Sequence, residues 1–298
     1  MPAKLPSAPP VTIVRAAQSL QRGVVGVSRK MLPAHFALLD IVTGVWRGHA
    51  LSALASTGIA AALRDGPKSA GELAGELSLH EGAVFRVLRA LATDGLLTRS
   101  GDRFGHTAIT ACLDPEHPHS FFHFVQDQTT AARSEMWAGM ATALRTGKPA
   151  SGFGHEGFWQ FLNDHPEQGK LFDGGMMELS RESCGAYARG YDFSRHSRVT
   201  DVGGGTGLLL CAILTAHPSL SGVLFDRAEV VAEAGPILSE WECTERVTVE
   251  PGDLFAGLPA GGGAYVAKNV LHMLDDAAAV EVLQTLSLIH ISEPTRQI

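Results

Sequence analysis

Apolar and polar positions alternate in blocks along the last third of the chain. Four short apolar or β-branched runs have the length of buried strands, and each ends in a polar or acidic residue: Arg198–Thr200, Ser221–Asp226, Arg246–Glu250 and Gly263–Lys268. The apolar segment Leu208–Thr215, between the first two runs, is long enough for a helix. Strands that alternate with helices predict an open α/β sheet with a ligand crevice at the carboxyl ends of its strands.

The segment from residue 32 to 119 has a different pattern, with apolar positions at helical spacing. Helices are predicted over Ala34–Trp46, Ala50–Thr57, Ala70–Leu77 and Glu81–Ala92, and strands over Gly95–Thr98 and Asp102–His106. Ser69, after the break at Gly66-Pro67, is predicted to cap the third helix. Two helices joined by a turn and followed by a wing predict a mostly α-helical winged-helix module.

A winged helix has two common uses, and the charges help to distinguish them. DNA binding would make the protein a transcription regulator, but the candidate recognition helix offers only Arg86 and Arg89, with acidic residues around them. A net charge of −7 also argues against nucleic acid as the main partner. We therefore favour dimerisation with a second copy of the chain through the apolar helices at Phe36–Trp46 and Ala50–Leu63.

The segment from residue 120 to 190 is rich in Phe, Trp and Met. Most of these side chains are predicted to form helical core, although a pocket for a flat aromatic substrate would use the same residue types. The predicted division is a loose tail (1–31), a winged-helix dimerisation domain (32–119), a helical linker and pocket segment (120–190), a cofactor-binding domain (191–286) and a non-native tail (287–298).

The segment Asp201–Gly207 reads Asp-Val-Gly-Gly-Gly-Thr-Gly and follows the first predicted strand. Glycines permit a sharp turn and close ligand approach, and the helix start that follows favours a polar or anionic group. Gly203 and Gly205 fit the first two positions of the dinucleotide fingerprint, but the third falls on Leu208. The G-x-G-x-G spacing, ending at Gly207, instead resembles motif I of the class I S-adenosylmethionine-dependent methyltransferases.

Asp226 ends the second predicted strand, nineteen residues after Gly207. A carboxylate at this edge of an open sheet can accept hydrogen bonds from both ribose hydroxyls of a nucleoside. A generic nucleotide-binding fold with ordinary turn acids is the alternative interpretation.

Taken together, the chain resembles the caffeate- and acetylserotonin-type small-molecule O-methyltransferases from about Phe36 to Leu286. Motif I with Asp226 is specific for the superfamily, and its combination with Lys268-Asn-Val-Leu-His272 is specific for the family. The resemblance implies a Rossmann-like class I methyltransferase domain after a winged-helix dimerisation domain. It also implies S-adenosylmethionine as cofactor and a hydroxylated aromatic or polyketide-type small molecule as substrate.

The resemblance also implies roles for individual residues. The cofactor would be held by Gly203, Gly205 and Gly207 (methionine part), Asp226 (ribose), Asp253 and Leu254 (adenine), Lys268, and Ser180 (near the carboxylate). Phe172 and Met176 would flank the reactive methyl group, and His272 would be the general base. Met273 stands where the family commonly has an aspartate, so a cofactor-binding relative without catalysis is a further alternative.

The composition excludes other classes of protein. A hydrophobic fraction of 45% is ordinary for a globular chain with a buried core. The four cysteines have no metal-ligand spacing, so we expect no metal site and reduced thiols in the cytoplasm. No uncharged apolar run reaches transmembrane length, so no membrane partner is expected.

The C-terminal residues 287–298 resemble translated adapter sequence, whereas the family continues with further strands and helices. We therefore expect the strand Ala264–Ala267 to have an unpaired apolar edge, which favours aggregation. The resemblance implies that the acidic partner of His272 would lie in those further strands and helices of the family. This chain is accordingly expected to be poorly stable and weakly active.

Overall fold

The computed structural model describes residues 11–148, 155–261 and 263–289. They form two compact units, of which one reaches Leu179 and the other begins at Ser180. The division falls inside one long helix, Pro166–Gly190. Among the described residues, no helix combines the length and the apolar character that crossing a bilayer requires.

The first unit is mostly helical. Its helices are α1 (Val11–Met31), α2 (Ala34–Ser56), α3 (Ile59–Ala62), α4 (Ala70–Leu77), α5 (Glu81–Thr93), α6 (Ala108–Ala111), α7 (Phe122–Gln128), α8 (Ala131–Ala138), α9 (Met140–Thr146), α10 (His155–Asp164) and the first part of α11 (Pro166–Gly190). Its strands are β1 (Lys68–Ser69), β2 (Leu97–Ser100) and β3 (Arg103–His106). They form an antiparallel sheet in the order β1-β3-β2.

The predicted winged helix is confirmed, and its core explains why these segments fold together. Phe104 of β3 is fully buried among apolar residues of α2, α4 and α5, including Leu54, Leu73 and Leu88. The Ser69 side chain accepts a hydrogen bond from the Glu72 backbone N–H, and the Glu72 carboxylate accepts one from the Ser69 N–H. This capping box fixes the start of α4 at the predicted residue.

Two features of the N-terminal half differ from the sequence expectation. The two predicted helical stretches over 34–57 form one continuous helix, Ala34–Ser56, since the Gly48 between them costs only about 1 kcal/mol in a helix. Arg47, also between them, pairs with Asp40 at 2.5 Å and with Asp94 at 2.8 Å. The tail predicted over 1–31 is wrong for residues 11–31, which form α1. Its apolar residues recur at intervals of three and four, the spacing of an amphipathic helix.

The second unit contains a parallel sheet. It comprises the end of α11, β4 (Arg198–Val202), α12 (Leu208–Ala216), β5 (Ser221–Asp226), α13 (Ala228–Val231), α14 (Gly235–Glu240), β6 (Val247–Pro251), β7 (Ala264–Val266) and α15 (Asp276–Ile289), with 3₁₀ turns at Phe193–Arg195, Thr244–Arg246 and Leu271–Met273. The strand order is β6-β5-β4-β7, and all pairs are parallel. The predicted Rossmann-like sheet is thereby confirmed.

The central strands β4 and β5 are buried on both faces, which accounts for their continuous apolar sequences. Helix α12 is buried along residues 208–214 and packs directly on β5, where a Cβ at Gly222 would lie 2.8 Å from Leu210 Cδ1. Among the described strands, β7 pairs with β4 alone and lies at the end of the sheet, and its residues are half-buried. Residues 287–289, predicted as tail, continue α15; residues 290–298 and 1–10 lie outside the described residues.

Candidate active site

The glycine turn joins β4 to α12 in a backbone conformation that requires glycine. Gly203, Gly205 and Gly207 have φ of +66°, +61° and +88°, in the left-handed region that residues with a Cβ rarely adopt. The N–H groups of Gly203 and Gly204 donate to the Phe225 carbonyl at 2.8 and 3.3 Å, so the turn is fastened to the end of β5. The three predicted glycines therefore shape one turn at the carboxyl edge of the sheet.

Gly204, which the sequence interpretation left without a role, is the most tightly packed glycine of the turn. A Cβ there would lie 2.6 Å from Leu224 Cδ1 and 2.8 Å from Asp201 Oδ2. Both atoms belong to buried strands that have little room to move. Close packing thus excludes any side chain at this position.

We expect Gly204→Ala to destabilise the protein by about 1–3 kcal/mol, because overpacking forces buried neighbours aside. Gly235→Ala is the matched control, since a Cβ at Gly235 meets nothing within 4 Å. Urea unfolding followed by circular dichroism measures both variants. Equal stability of the two would show that the turn has space that the structure does not indicate.

Asp226 lies at the end of β5, beside the turn. Its Oδ2 accepts a hydrogen bond from Gly205 N at 2.8 Å, and its Oδ1 accepts one from Arg227 N at 2.8 Å. An ionised carboxylate has about four lone-pair sites, so each oxygen retains capacity for a further donor. This geometry suits the predicted contact with two ribose hydroxyls.

The loop after β6 brings the predicted adenine residues to the same edge. Gly252 N donates to the Asp226 carbonyl at 2.9 Å, which ties this loop to the end of β5. Asp253 is exposed, and its Oδ1 accepts a hydrogen bond from Phe255 N at 2.9 Å; Leu254 is half-buried. Asp253 and Leu254 directly follow Gly252, the residue that is hydrogen-bonded to Asp226.

Lys268 and Ser180 are 88 residues apart in sequence, and the structure brings them into contact. Lys268 Nζ donates a hydrogen bond to Ser180 Oγ at 2.8 Å. Lys268 follows β7, whereas Ser180 lies on α11 at the start of the second unit. Two residues predicted for the same cofactor are therefore neighbours.

His272 is exposed within the 3₁₀ turn Leu271–Met273. This turn lies against the glycine turn, because a Cβ at Gly203 would come within 2.6 Å of Val270 Cγ2. Among the described residues, none is recorded as a hydrogen-bond partner of the His272 imidazole. Asp275, the first acid after it, instead caps α15 by accepting from Ala278 N at 2.9 Å.

Asp201 is a site residue to which the sequence interpretation gave no role. It is 1% exposed, and its Oδ2 has no hydrogen-bond partner among the described residues. Burial raises the pKa of its carboxyl to about 7, although the Lys268 ammonium lowers it. A charged residue at the end of an apolar strand, two positions before Gly203, was the signal that could have found it.

The predicted substrate residues Phe172 and Met176 lie on the part of α11 in the first unit. Phe172 meets Phe158 and Trp159 edge-on, with ring centroids 5.3 and 5.6 Å apart. The Arg133 guanidinium lies over the Phe172 ring at 5.7 Å. Met176 is half-buried. Phe172 is thus part of an aromatic cluster in the first unit.

The residues at the sheet edge suit a cationic nucleoside cofactor. The glycine turn allows close approach, the Asp226 carboxylate has acceptor capacity, and Asp201 has a buried oxygen that no group of the described residues hydrogen-bonds. Carboxylates at the ends of neighbouring parallel strands favour both hydroxyls and positive charge. Fold and site together define a class I methyltransferase.

The chain belongs to the O-methyltransferase family. The model of the O-methyltransferase domain matches residues 137–289, and the model of the O-methyltransferase dimerisation domain matches residues 39–114. The mitomycin biosynthesis 6-O-methyltransferase of Streptomyces lavendulae is 32% identical over 83% of this chain and 72% of its own length.

Solved structures agree with this assignment. An O-methyltransferase from neocarzinostatin biosynthesis, in complex with S-adenosylmethionine and 2-hydroxy-5-methyl naphthoic acid, is 31% identical, with a TM-score of 0.67 over 80% of this chain and 74% of that one. Human N-acetylserotonin methyltransferase, at 21% identity, has the same fold, with a TM-score of 0.77 over 87% of this chain and 77% of that one. The chain is thus an S-adenosylmethionine-dependent O-methyltransferase, and the matches do not favour a DNA-binding regulator.

Proposed function

We propose that the carboxyl edge of the β4–β7 sheet binds S-adenosylmethionine and that the enzyme methylates a hydroxyl group of an aromatic or polyketide-type small molecule. One observation carries this proposal: Val270, two residues before His272, lies against Gly203 of the glycine turn. The substrate class is supported by relatives whose names specify mitomycin and naphthoic acid chemistry.

The cofactor contacts follow from the donors and acceptors at this edge. Gly203, Gly205 and Gly207 would let the methionine part approach the backbone, and Asp226 would accept from the ribose hydroxyls. Asp253 and Leu254 would border the adenine. Lys268 and Ser180, already joined by a hydrogen bond, would offer a cation and a hydroxyl to the cofactor carboxylate.

His272 would act as the general base. When bound, S-adenosylmethionine supplies a methyl group on a positively charged sulfur, so the protein has to align and deprotonate the acceptor. Free phenol is a weaker acid than free imidazolium by about 3.5 pKa units, so complete proton transfer before attack would cost roughly 5 kcal/mol. His272 would therefore take the hydroxyl proton as the oxygen attacks the methyl carbon.

Phe172 and Met176 would form the apolar wall against which a flat acceptor lies. The edge-on contacts of Phe172 with Phe158 and Trp159 support this role, since a held ring offers a fixed surface for stacking.

The proposal also includes the domain organisation, with dimerisation over 32–119, the pocket segment over 120–190 and cofactor binding over 191–286.

Calorimetric titration with S-adenosylmethionine, NAD and a DNA duplex tests the class of ligand. We expect heat of binding for S-adenosylmethionine alone, followed by methylation of members of a phenol panel, detected by mass spectrometry. Cofactor binding without methylation of any phenol would favour a relative without catalysis. Tight binding of the duplex instead would contradict the proposal.

We further propose that the first unit forms a homodimer through α1 and the Phe36–Trp46 part of α2. The expectation that Ala50–Leu63 also lies in the interface is wrong for Leu54, Ile59 and Leu63, which are buried in the core of the unit itself. Apolar side chains on both helices are more than half exposed in the single chain: Ile13, Leu20, Val24, Val27, Met31, Phe36, Leu38, Leu39, Ile41, Val42, Val45 and Trp46. An exposed apolar surface this continuous is uncommon on a monomer. The match to the dimerisation-domain model supports a second copy as the partner.

The double variant Val42→Glu with Trp46→Glu is expected to be monomeric, since an unpaired charge buried in an interface costs several kcal/mol. Val42 and Trp46 are 62% and 70% exposed, so the fold of each chain should survive. Leu144→Glu, at an 83% exposed position of α9, is the control. Sedimentation equilibrium gives the mass; a dimer that persists in the double variant would contradict this interface.

A further inference from the structure

Asp201 lies where an ionised carboxylate is least expected. It is the last residue but one of β4, is 1% exposed, and has one carboxyl oxygen without a hydrogen-bond partner among the described residues. The Thr200 hydroxyl beside it is also buried, and it too has no hydrogen-bond partner in the part of the chain that the structure describes. A buried charge without full compensation is unfavourable, so such a group tends to bind a proton.

The groups around Asp201 compensate its charge only in part. Lys268, after β7, favours the ionised form, whereas Asp226, at the end of β5, opposes it. The thiols of Cys184 on α11 and Cys211 on α12 are also within electrostatic reach, but their pKa values are raised, so both stay neutral near pH 7. The charges of Lys268 and Asp226 therefore act on the pKa of Asp201 in opposite directions, and burial is the largest effect and raises this pKa.

The position of Asp201 connects it to the glycine turn. A Cβ at Gly204 would lie 2.8 Å from Asp201 Oδ2, so the unpaired oxygen is directly beneath the turn. The Leu210 backbone N–H, in the first turn of α12, also favours the ionised form of this carboxyl and lowers its pKa. A change in the charge of Asp201 would thus act on both the turn and the start of the helix that follows it.

We propose that Asp201 is a positioning residue that is protonated in the ligand-free enzyme near neutral pH and ionises when S-adenosylmethionine binds, releasing its proton to solvent. The inference rests on the proposed cofactor site. The cofactor brings an ammonium, a sulfonium and a carboxylate, so its net charge is positive, and a net positive charge over the turn favours ionised Asp201. Ionised Asp201 would then hold Lys268 and the turn in the geometry that binds the cofactor.

The linkage has a defined sign. If a proton must leave for binding, affinity falls as the pH drops below about 7, where the free enzyme retains that proton. We expect the Kd for S-adenosylmethionine to be about tenfold weaker at pH 6 than at pH 8. Nearly one proton should be released for each cofactor bound at pH 6, and almost none at pH 8.

Calorimetry at pH 6, 7 and 8, in buffers of different ionisation enthalpy, measures both quantities. Asp201→Asn should abolish the proton release and flatten the pH profile of the Kd, whereas His272→Ala should retain both. If Asp201 had only a structural role, Asp201→Asn would weaken the binding of S-adenosylmethionine equally at every pH. Equal proton release by wild type and Asp201→Asn would overturn the proposal.

An infrared measurement on the wild-type enzyme covers the case in which Asp201→Asn does not fold. At pH 6, addition of S-adenosylmethionine should remove the C=O band of one protonated carboxyl and add a carboxylate band. An unchanged spectrum with bound cofactor would overturn the role of Asp201 and leave the proposed function intact. Failure of the wild type to bind the cofactor at any pH would overturn both.

Discussion

His272→Ala should lower kcat by about 10²–10⁴-fold, the usual contribution of a positioned general base. The imidazole is exposed, and its turn lies beside the glycine turn, where the acceptor hydroxyl would have to meet the cofactor methyl group. Because no hydrogen bond joins its ring to the predicted cofactor residues within the described part of the chain, we expect the Kd for S-adenosylmethionine to stay within about twofold. Stopped-time assays with a methylated phenol product and calorimetry measure the two effects separately.

Two controls make this experiment specific. His119→Ala removes another exposed imidazole, in the first unit, and should leave kcat unchanged. In His272→Ala, the rate should rise with pH as the phenol ionises by itself, because the base is no longer needed for a phenolate. A kcat equal to that of the wild type at every pH would remove His272 from the mechanism.

Asp226→Ala should weaken S-adenosylmethionine binding by roughly 10²–10⁴-fold. Two hydrogen bonds from the ribose hydroxyls to a charged acceptor contribute about 1.5–3 kcal/mol each, and each 1.4 kcal/mol is tenfold in Kd. The substitution also leaves Gly205 N and Arg227 N without their acceptor, which loosens the turn. Calorimetry at saturating enzyme concentration gives the Kd directly.

The variant Asp226→Asn removes the negative charge of this side chain and keeps its shape. Its side-chain oxygen can still accept one hydrogen bond, so its Kd should lie between those of the wild type and Asp226→Ala. Asp192→Ala is the matched control, because Asp192 is another aspartate of the second unit that accepts from a backbone N–H, that of Ser194. A Kd for Asp226→Ala close to that of Asp192→Ala would show that the ribose is held elsewhere.

The sequence predicted the elements with strong local signals. β5 begins and ends at the predicted Ser221 and Asp226, and α4 covers the predicted residues 70–77 behind its capping serine. Long apolar runs and side-chain caps act within a few residues, so they can be recognised without the fold. Helix α1 escaped recognition because its apolar stripe is interrupted by glycines and begins in a proline-rich stretch.

The candidate site was partly predictable for the same reason. The glycine spacing and the acid at Asp226 are local patterns, and His272 was placed by its resemblance to a family motif. The roles of Phe172 and Met176 stay predictions. Asp201 could have been noticed as an acid at the end of an apolar strand, but only the structure shows that it is buried with one oxygen that has no hydrogen-bond partner among the described residues.

By itself, the sequence determined the class of fold, the glycine turn and the family, since each depends on spacing along the chain. Only the tertiary structure decided which distant residues meet: Lys268 with Ser180, Val270 with Gly203, and Asp201 beneath Gly204. These contacts arise where parallel strands end side by side, and strand order and close packing set them. The charge state of Asp201 depends on this packing as well, because water is excluded only after the strands and α12 have assembled.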